Sequence, residues 1–298
     1  PGAAVDWVIS AGDRGLEMHL DIEGPGVRSA VFPRLTVREP EGGGTAFVPA
    51  GQGRLEAGAF RRNTRYRMPY AGPFAAMSFM GVYEAAGAQS GIYLGWHDPQ
   101  ATRKDLMLDS LAHRRAVVME AAVPAEGMGT TDQWSTPTAA IRASTNGWWG
   151  LVQHYRAFAQ AAPWWAWEKP EKTWIDDTDW WLIASVDRTA DNALQVFVAD
   201  IEKAADIVGV PPAVHGYNWH EIPFDNDYPH YLPARPGFAQ AVQELKARGI
   251  HVTPYINGRL WDTRDRGLED WQFTAVARPA ATKDEDGRVV HEMYGSKE

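Results

Sequence analysis

The stretch from Val214 to Asp262 constrains the fold more tightly than any other part of this chain. Ala213–Trp219 is a short apolar strand whose end gathers hydrogen-bonding and aromatic groups: Asn218, Trp219, His220 and Glu221. A Pro-rich loop follows, and Pro236 stands where a first helical turn tolerates proline. Phe238, Ala241, Val242 and Leu245 then recur at i, i+3, i+4 and i+7, the stripe of a helix lying on a sheet. Gly249 stops that helix, and Ile250–Ile256 forms a second strand that opens into Asn257, Arg259, Trp261 and Asp262. Strand, helix and strand make a βαβ unit, because parallel strands need a crossover, and such crossovers are right-handed. Both strand ends carry their polar groups on the same side. That is where a (β/α) barrel builds its site. The alternative for Asn257 and Asp262 is a buried structural role.

The pattern extends upstream. Trp180–Val186 is a continuous apolar run, as expected of a strand buried on both faces, and it ends in Asp187 and Arg188. Asn192 is placed to cap a helix in which Val196, Phe197, Ile201, Ala204, Ala205 and Val208 form a wide apolar stripe. Gly209 and Pro211-Pro212 end it. No glycine-rich phosphate loop follows the first strand, which argues against a nucleotide-binding fold. A closed barrel takes eight strands and typically about 250 residues. Residues 174–298 hold about three strands, so the expectation is an open sheet or, preferred, a barrel truncated after its first three βα units.

From Val5 to Val123 the period is different. Leu16–Ile22 alternates at period two, as does part of Val27–Val37, with Gly24-Pro25-Gly26 as the turn between them. Ala75–Tyr83, Gly91–Trp96 and Arg115–Ala122 read as further strands. Many short strands at near-regular spacing indicate a β-sandwich. At Asn146 helical spacing takes over through Trp149, Val152, Tyr155 and Ala159, and the aromatic run Trp164–Trp174 follows. The expected domains are a β-sandwich over residues 1–145, a linker helix and aromatic linker over 146–173, and the N-terminal part of a barrel over 174–298.

Composition narrows the partners. A net charge of −9 disfavours a nucleic-acid backbone, and no span is apolar enough for a membrane. The absence of cysteine excludes disulfides and thiolate chemistry and leaves the compartment undecided. The 14 Trp residues are unusual; a tryptophan offers a flat face for stacking on sugar rings, although core packing is its commoner use. The chain begins at Pro1 already inside sandwich-like sequence, so a natural N-terminus upstream is expected.

Two segments carry a family resemblance. Gly91–Leu106 (GIYLGWHDPQATRKDL) resembles a strand pair in a sandwich domain that precedes certain glycosidase barrels. Phe224–Asp262 (FDNDYPHYLPARPGFAQAVQELKARGIHVTPYINGRLWD) resembles the second-to-third strand region of those barrels. Together they are similar to an uncharacterised bacterial family catalogued as a domain of unknown function. That family is in turn similar to the superfamily of α-galactosidases, α-glucosidases and endo-α-N-acetylgalactosaminidases. The resemblance implies a galactose-mutarotase-like β-sandwich followed by a (β/α)₈ barrel. It also implies a retaining glycoside hydrolase acting on α-linked sugars, with a nucleophile after the fourth strand and an acid/base carboxylate further along. Retaining chemistry needs two carboxyl groups about 5–5.5 Å apart, and both would lie beyond Glu298. No catalytic residue, metal or cofactor is therefore expected in this chain. The alternative function is a non-catalytic carbohydrate-binding protein on the same scaffold.

The expected substrate-binding residues are Asp187, Trp219, His220, Asn257, Arg259, Trp261 and Asp262. Trp219 and Trp261 are candidates for a stacking wall, against plain packing at the strand ends. His220 is a candidate donor to a sugar hydroxyl, against a structural histidine. Asn257 and Arg259 supply donors, and Asp187 and Asp262 accept from paired hydroxyls or form salt bridges with Arg188 or Arg264. Asp225 and Asp227 lack the spacing of a calcium loop and read as a turn. Asp176-Asp177-Thr178-Asp179 reads as solvated, and His97, Asp98 and Lys104 as a structural turn. Glu221, directly after a strand, would need burial to act as an acid.

Overall fold

The computed structural model describes residues 2–12, 15–72, 74–125, 131–165, 173–222, 228–263, 272–284 and 286–292. The chain divides into two compact units, Pro1–Glu168 and Lys169–Glu298.

The first unit runs through strands β1 (Ala4–Gly12), β2 (Gly15–Glu23), β3 (Ser29–Arg38), β4 (Gly44–Val48), β5 (Arg54–Glu56), β6 (Arg65–Tyr70), β7 (Phe79–Glu84), β8 (Gly91–His97), β9 (Lys104–Leu111), β10 (Ala116–Pro124), β11 (Gln133–Ser135) and β12 (Thr138–Ser144). One antiparallel sheet has the order β1-β2-β12-β8-β7-β4-β5, with β11 also paired to β2; the other has the order β3-β10-β9-β6. Met80, Val82, Leu94 and Trp96 of the large sheet meet Leu106, Leu108, Val117 and Met119 of the small one in a single core. Side chains alternate along a strand, so β9 sends Lys104, Leu106 and Leu108 inward and leaves Asp105 and Met107 at its outer face. Trp96 is fully buried and spends its one donor on the Phe32 carbonyl across the sandwich, at 3.0 Å.

The large sheet is apolar on its other face too. Phe47, Phe79, Tyr83 and Tyr93 pack there against helix α1 (Gly147–Ala161) through Leu151, Tyr155 and Ala159. The helix expected to lie between domains is thus part of this unit. Its buried residues recur every fourth position, whereas Trp149, counted above on the apolar stripe, is 51% exposed. Gly81 permits the approach, because a Cβ there would lie 2.7 Å from the Leu151 side chain. Asp98 and Lys104 close a turn: the Lys104 ammonium, fully buried, donates to Asp98 at 2.9 Å and to the Thr102 carbonyl at 2.6 Å, while His97, ahead of it, packs against Phe158 of α1.

The second unit has a three-stranded parallel sheet, β13 (Trp181–Ser185), β14 (Ala213–Tyr217) and β15 (His251–Pro254), in that order. Helix α2 (Ala193–Val208) joins the first two strands and α3 (Phe238–Ala247) the last two. Gly209, at φ +82°, ends α2 in the left-handed conformation that favours glycine. Asn192 precedes α2 as expected but makes no side-chain cap. Phe197, Ile201 and Ala205 of α2 and Ala241 and Leu245 of α3 bury the same sheet face, built from Leu182, Ala184, Val214 and Val252. The opposite face carries Trp181, Ile183, His215, Tyr217 and Thr253, and Ile183 is 73% exposed. This corrects the expectation that Trp180–Val186 is buried on both faces. Both helices lie on one side, so alternate residues of β13 have no layer above them among the described residues. Further along, a short π-helical turn (Phe273–Ala277) and a bridge between Lys283 and Val289 are described.

Candidate functional site

The three parallel strands end on one edge of the sheet, and the segments 186–192, 218–222 and 255–263 leave from it. The long segment after β14 folds back on itself: Arg235 N donates to the Trp219 carbonyl at 2.9 Å, and Glu221 N to the Pro233 carbonyl at 3.1 Å. Phe238, Tyr231 and Tyr228 thereby close over Trp219. The indole lies nearly parallel to Tyr231, with centroids 6.1 Å apart, and its Nε1 donates to the Tyr255 carbonyl at 2.8 Å. At 9% exposure neither indole face is open to a pyranose, so Trp219 packs the loop instead of forming the expected stacking wall. His220 is 1% exposed, edge-on to Trp219 and Tyr231. Burial pushes its imidazole below the ordinary range against the pull of the Ile222 backbone, and Arg188 and Arg235 push it further. Enclosed in this way, the ring offers no donor at the surface, and neither of its nitrogens has a hydrogen-bond partner among the described residues.

The other expected residues remain at or near the surface. Asp187 is exposed, and one carboxylate oxygen accepts both the Thr189 amide at 2.8 Å and the Thr189 hydroxyl at 2.7 Å. Those bonds, the backbone one foremost, hold the carboxyl below its usual value. Asn257 is half-buried; its Oδ1 accepts the amides of Arg259 at 2.9 Å and Leu260 at 3.1 Å, and the Tyr231 hydroxyl also meets its backbone. The Arg259 guanidinium forms a two-bond ion pair with Glu292. Trp261 is half-buried and edge-on to His230 at 6.3 Å, and Asp262, also half-buried, donates its amide to the Tyr228 carbonyl at 2.8 Å. Glu221 is exposed. Asp225, Asp227 and Arg264 lie outside the described residues.

Three residues on this edge were not among the expected ligands. Asn218, at φ +56°, donates from Nδ2 to the Ser185 hydroxyl at 2.8 Å, tying the ends of β14 and β13 together. Arg188 donates to the carbonyls of Ile222 at 2.8 Å and Glu221 at 3.1 Å. Arg235 borders a cleft of about 330 Å³ between the first turns of α2 and α3, with Asp191 and Glu244 also on its wall. In the sequence Arg235 is one residue of a Pro-rich turn, with no periodicity to single it out. Among the described residues no group of three His, Asp or Glu side chains is placed to hold a metal ion.

Comparison with known proteins places this geometry in context. A family model described as "Domain of unknown function (DUF6259)" matches residues 134–298. A Bacteroides thetaiotaomicron protein named "Putative glycoside hydrolase" is 26% identical over 288 residues, which cover 92% of this chain and 39% of that protein. A similarly named protein of Monosiga brevicollis is 28% identical over 254 residues, 76% of this chain and 21% of that one. The chain therefore spans well under half the length of these relatives. Among solved structures, α-N-acetylgalactosaminidase NagBb from Bifidobacterium bifidum, in complex with GalNAc, superposes with a TM-score of 0.64 at 11% identity, over 96% of this chain and 54% of that one. At that identity the likeness is one of fold.

Proposed function

The chain belongs to the DUF6259 domain family, and from that premise we propose that the protein it forms part of is a glycoside hydrolase acting on carbohydrate. The observation that carries the reading is the second unit's sheet: three parallel strands, both helices on one face, and polar side chains collected where the strands end. Two relatives named as glycoside hydrolases and the fold likeness to an α-N-acetylgalactosaminidase support it.

In finer detail, the parallel sheet is read as the opening of a (β/α)₈ barrel whose uncovered face, with Ile183, His215 and Tyr217, is the barrel interior. Successive right-handed crossovers in one direction put every helix on the same side, as α2 and α3 are here. The first unit, over residues 1–145 with the 146–173 segment after it, is read as the sandwich that accompanies the barrel. Hydrolysis is proposed to act on α-linked sugars with retention. The two carboxylates it needs are assigned to later strands, since Asp187 and Glu221 are both exposed, without the burial an acid requires. Asp187, Asn257, Trp261 and Asp262 then serve the sugar from the first and third strand ends.

The test is to express the whole protein and assay aryl α- and β-glycosides, following the anomeric configuration of the released sugar by NMR. Release of the α-anomer from an α-glycoside is expected. Release of the β-anomer overturns retention, and no turnover on any glycoside overturns the hydrolase reading.

A further inference from the structure

Among the described residues only four Lys and Arg side chains are not exposed: Lys104, Arg142, Arg188 and Arg235. The first two meet carboxylates, Lys104 with Asp98 and Arg142 with Glu17. The other two stand together at the strand-end edge, and no carboxylate approaches either of them within 4 Å among the described residues. Most exposed arginines of this acidic chain do find one, including Arg61, Arg65, Arg115, Arg248 and Arg259. The partners of Arg188 are neutral carbonyls, which fix the plane of the guanidinium without compensating its charge. The Nε of Arg235 is buried with no hydrogen-bond partner. The two guanidiniums are close enough that burial and then Arg235 lower the Arg188 pKa.

Removing a charge from water costs several kcal/mol unless an opposite charge or enough hydrogen bonds replace the water. A chain with a net charge of −9 does not lack carboxylates to do so. Two half-buried guanidiniums with no carboxylate at ion-pair distance among the described residues, Asp187 acting on Arg235 only from farther off, at an edge where a ligand is expected, suit a site for an anionic group, since a planar fork matches carboxylate and sulfate oxygens. The first turns of α2 and α3, which border the cleft next to Arg235, add positive potential, against which Asp191 and Glu244 on the same wall act.

We propose that Arg188 and Arg235 form an anion subsite, so that the carbohydrate bound at this edge carries a carboxylate or a sulfate. This rests on the glycoside hydrolase reading and specifies its substrate class. The experiment measures binding of matched sugars to the whole protein by calorimetry: galactose, galacturonate and galactose 6-sulfate, and the corresponding glucose series. The two anionic arms separate carboxylate from sulfate recognition. At least one anionic sugar is expected to bind about tenfold or more tightly than its neutral counterpart. Arg235→Gln should bring that ratio towards one. Loss of affinity for charged and neutral sugars alike in Arg235→Gln overturns the assignment, as does equal or tighter binding of the neutral sugar by the unmodified protein. Should the variant fail to fold, the unmodified protein still decides: the preference must shrink as sodium chloride is raised, and a salt-independent one overturns the proposal. If neutral glycosides are cleaved while anionic ones are neither bound nor cut, only this inference falls. If no glycoside of either kind is bound or cut, the hydrolase reading falls with it.

Discussion

His97 lies at the end of β8, beneath α1, with its ring parallel to that of Phe158 at 4.6 Å and its Nε2 3.0 Å from the Tyr93 hydroxyl. Burial pushes its pKa down to about 4 from 6.5, Arg142 and His154 adding to the effect and Glu17 opposing it. In the unfolded chain the imidazole takes up a proton near its ordinary pKa, so between those values the unfolded state binds more protons and stability rises with pH. The sign follows from the depressed value: the contribution is complete above about pH 6.5 and is lost as the pH drops through about 4. At about 1.4 kcal/mol for each tenfold change in proton affinity, the difference between 6.5 and about 4 makes this roughly 3.5 kcal/mol. The depressed carboxylates Glu39, Asp98 and Asp109 begin to lose their own contribution at the acid end of this window, as the unfolded chain takes up protons, so His97 is isolated by comparing the protein with a variant and not by the slope alone. His97→Gln keeps a polar side chain there and removes the titration. Urea unfolding of the whole protein from about pH 7 to about pH 4, followed at the sandwich transition, should show a shallower pH slope in the variant. Parallel slopes in the two proteins, or an NMR titration of His97 near 6.5, would refute the reasoning.

Two substitutions test how the units are built. Lys104→Ala leaves the Asp98 carboxylate buried without its cation and should cost about 3–5 kcal/mol, read as a lower urea midpoint; a change under about 1 kcal/mol would mean that the Thr102 and Gln100 bonds suffice to hold Asp98. Trp219→Ala removes the indole that Tyr231 and Phe238 close on and should cost about 3–5 kcal/mol of stability, visible as a lower melting temperature; an unchanged melt with weakened sugar binding would restore Trp219 to the ligand surface.

Periodicity made the second unit legible, since a stripe such as Phe238, Ala241 and Leu245 requires a sheet to lie on, whichever sheet it is. Burial on two faces and burial on one leave the same apolar run in β13, so the uncovered Ile183 was not legible. Nor was the fate of Trp219 and His220. Both follow a strand and precede a polar loop, as a ligand-facing pair would; what encloses them is the return of residues 228–236, joined by the Trp219–Arg235 and Glu221–Pro233 backbone bonds. Those contacts span more than ten residues of irregular chain, where neither helical nor strand period applies. Arg235 was missed for the same reason.

The strand-end polar groups illustrate a more general ambiguity, and how structure resolves it. Asp and Asn are favoured in turns because their side chains bond backbone two residues on, and the same oxygens bind sugar hydroxyls. In Asp187 both Thr189 bonds fall on one oxygen, so the second oxygen stays available while the first fixes the carboxylate plane. In Asn257 both backbone amides fall on Oδ1, which leaves the Nδ2 donor uncommitted. The turn role and the ligand role are therefore compatible in one side chain. A carboxylate already held in its rotamer loses less conformational entropy when it meets a hydroxyl, so the turn bonds improve the ligand site instead of competing with it.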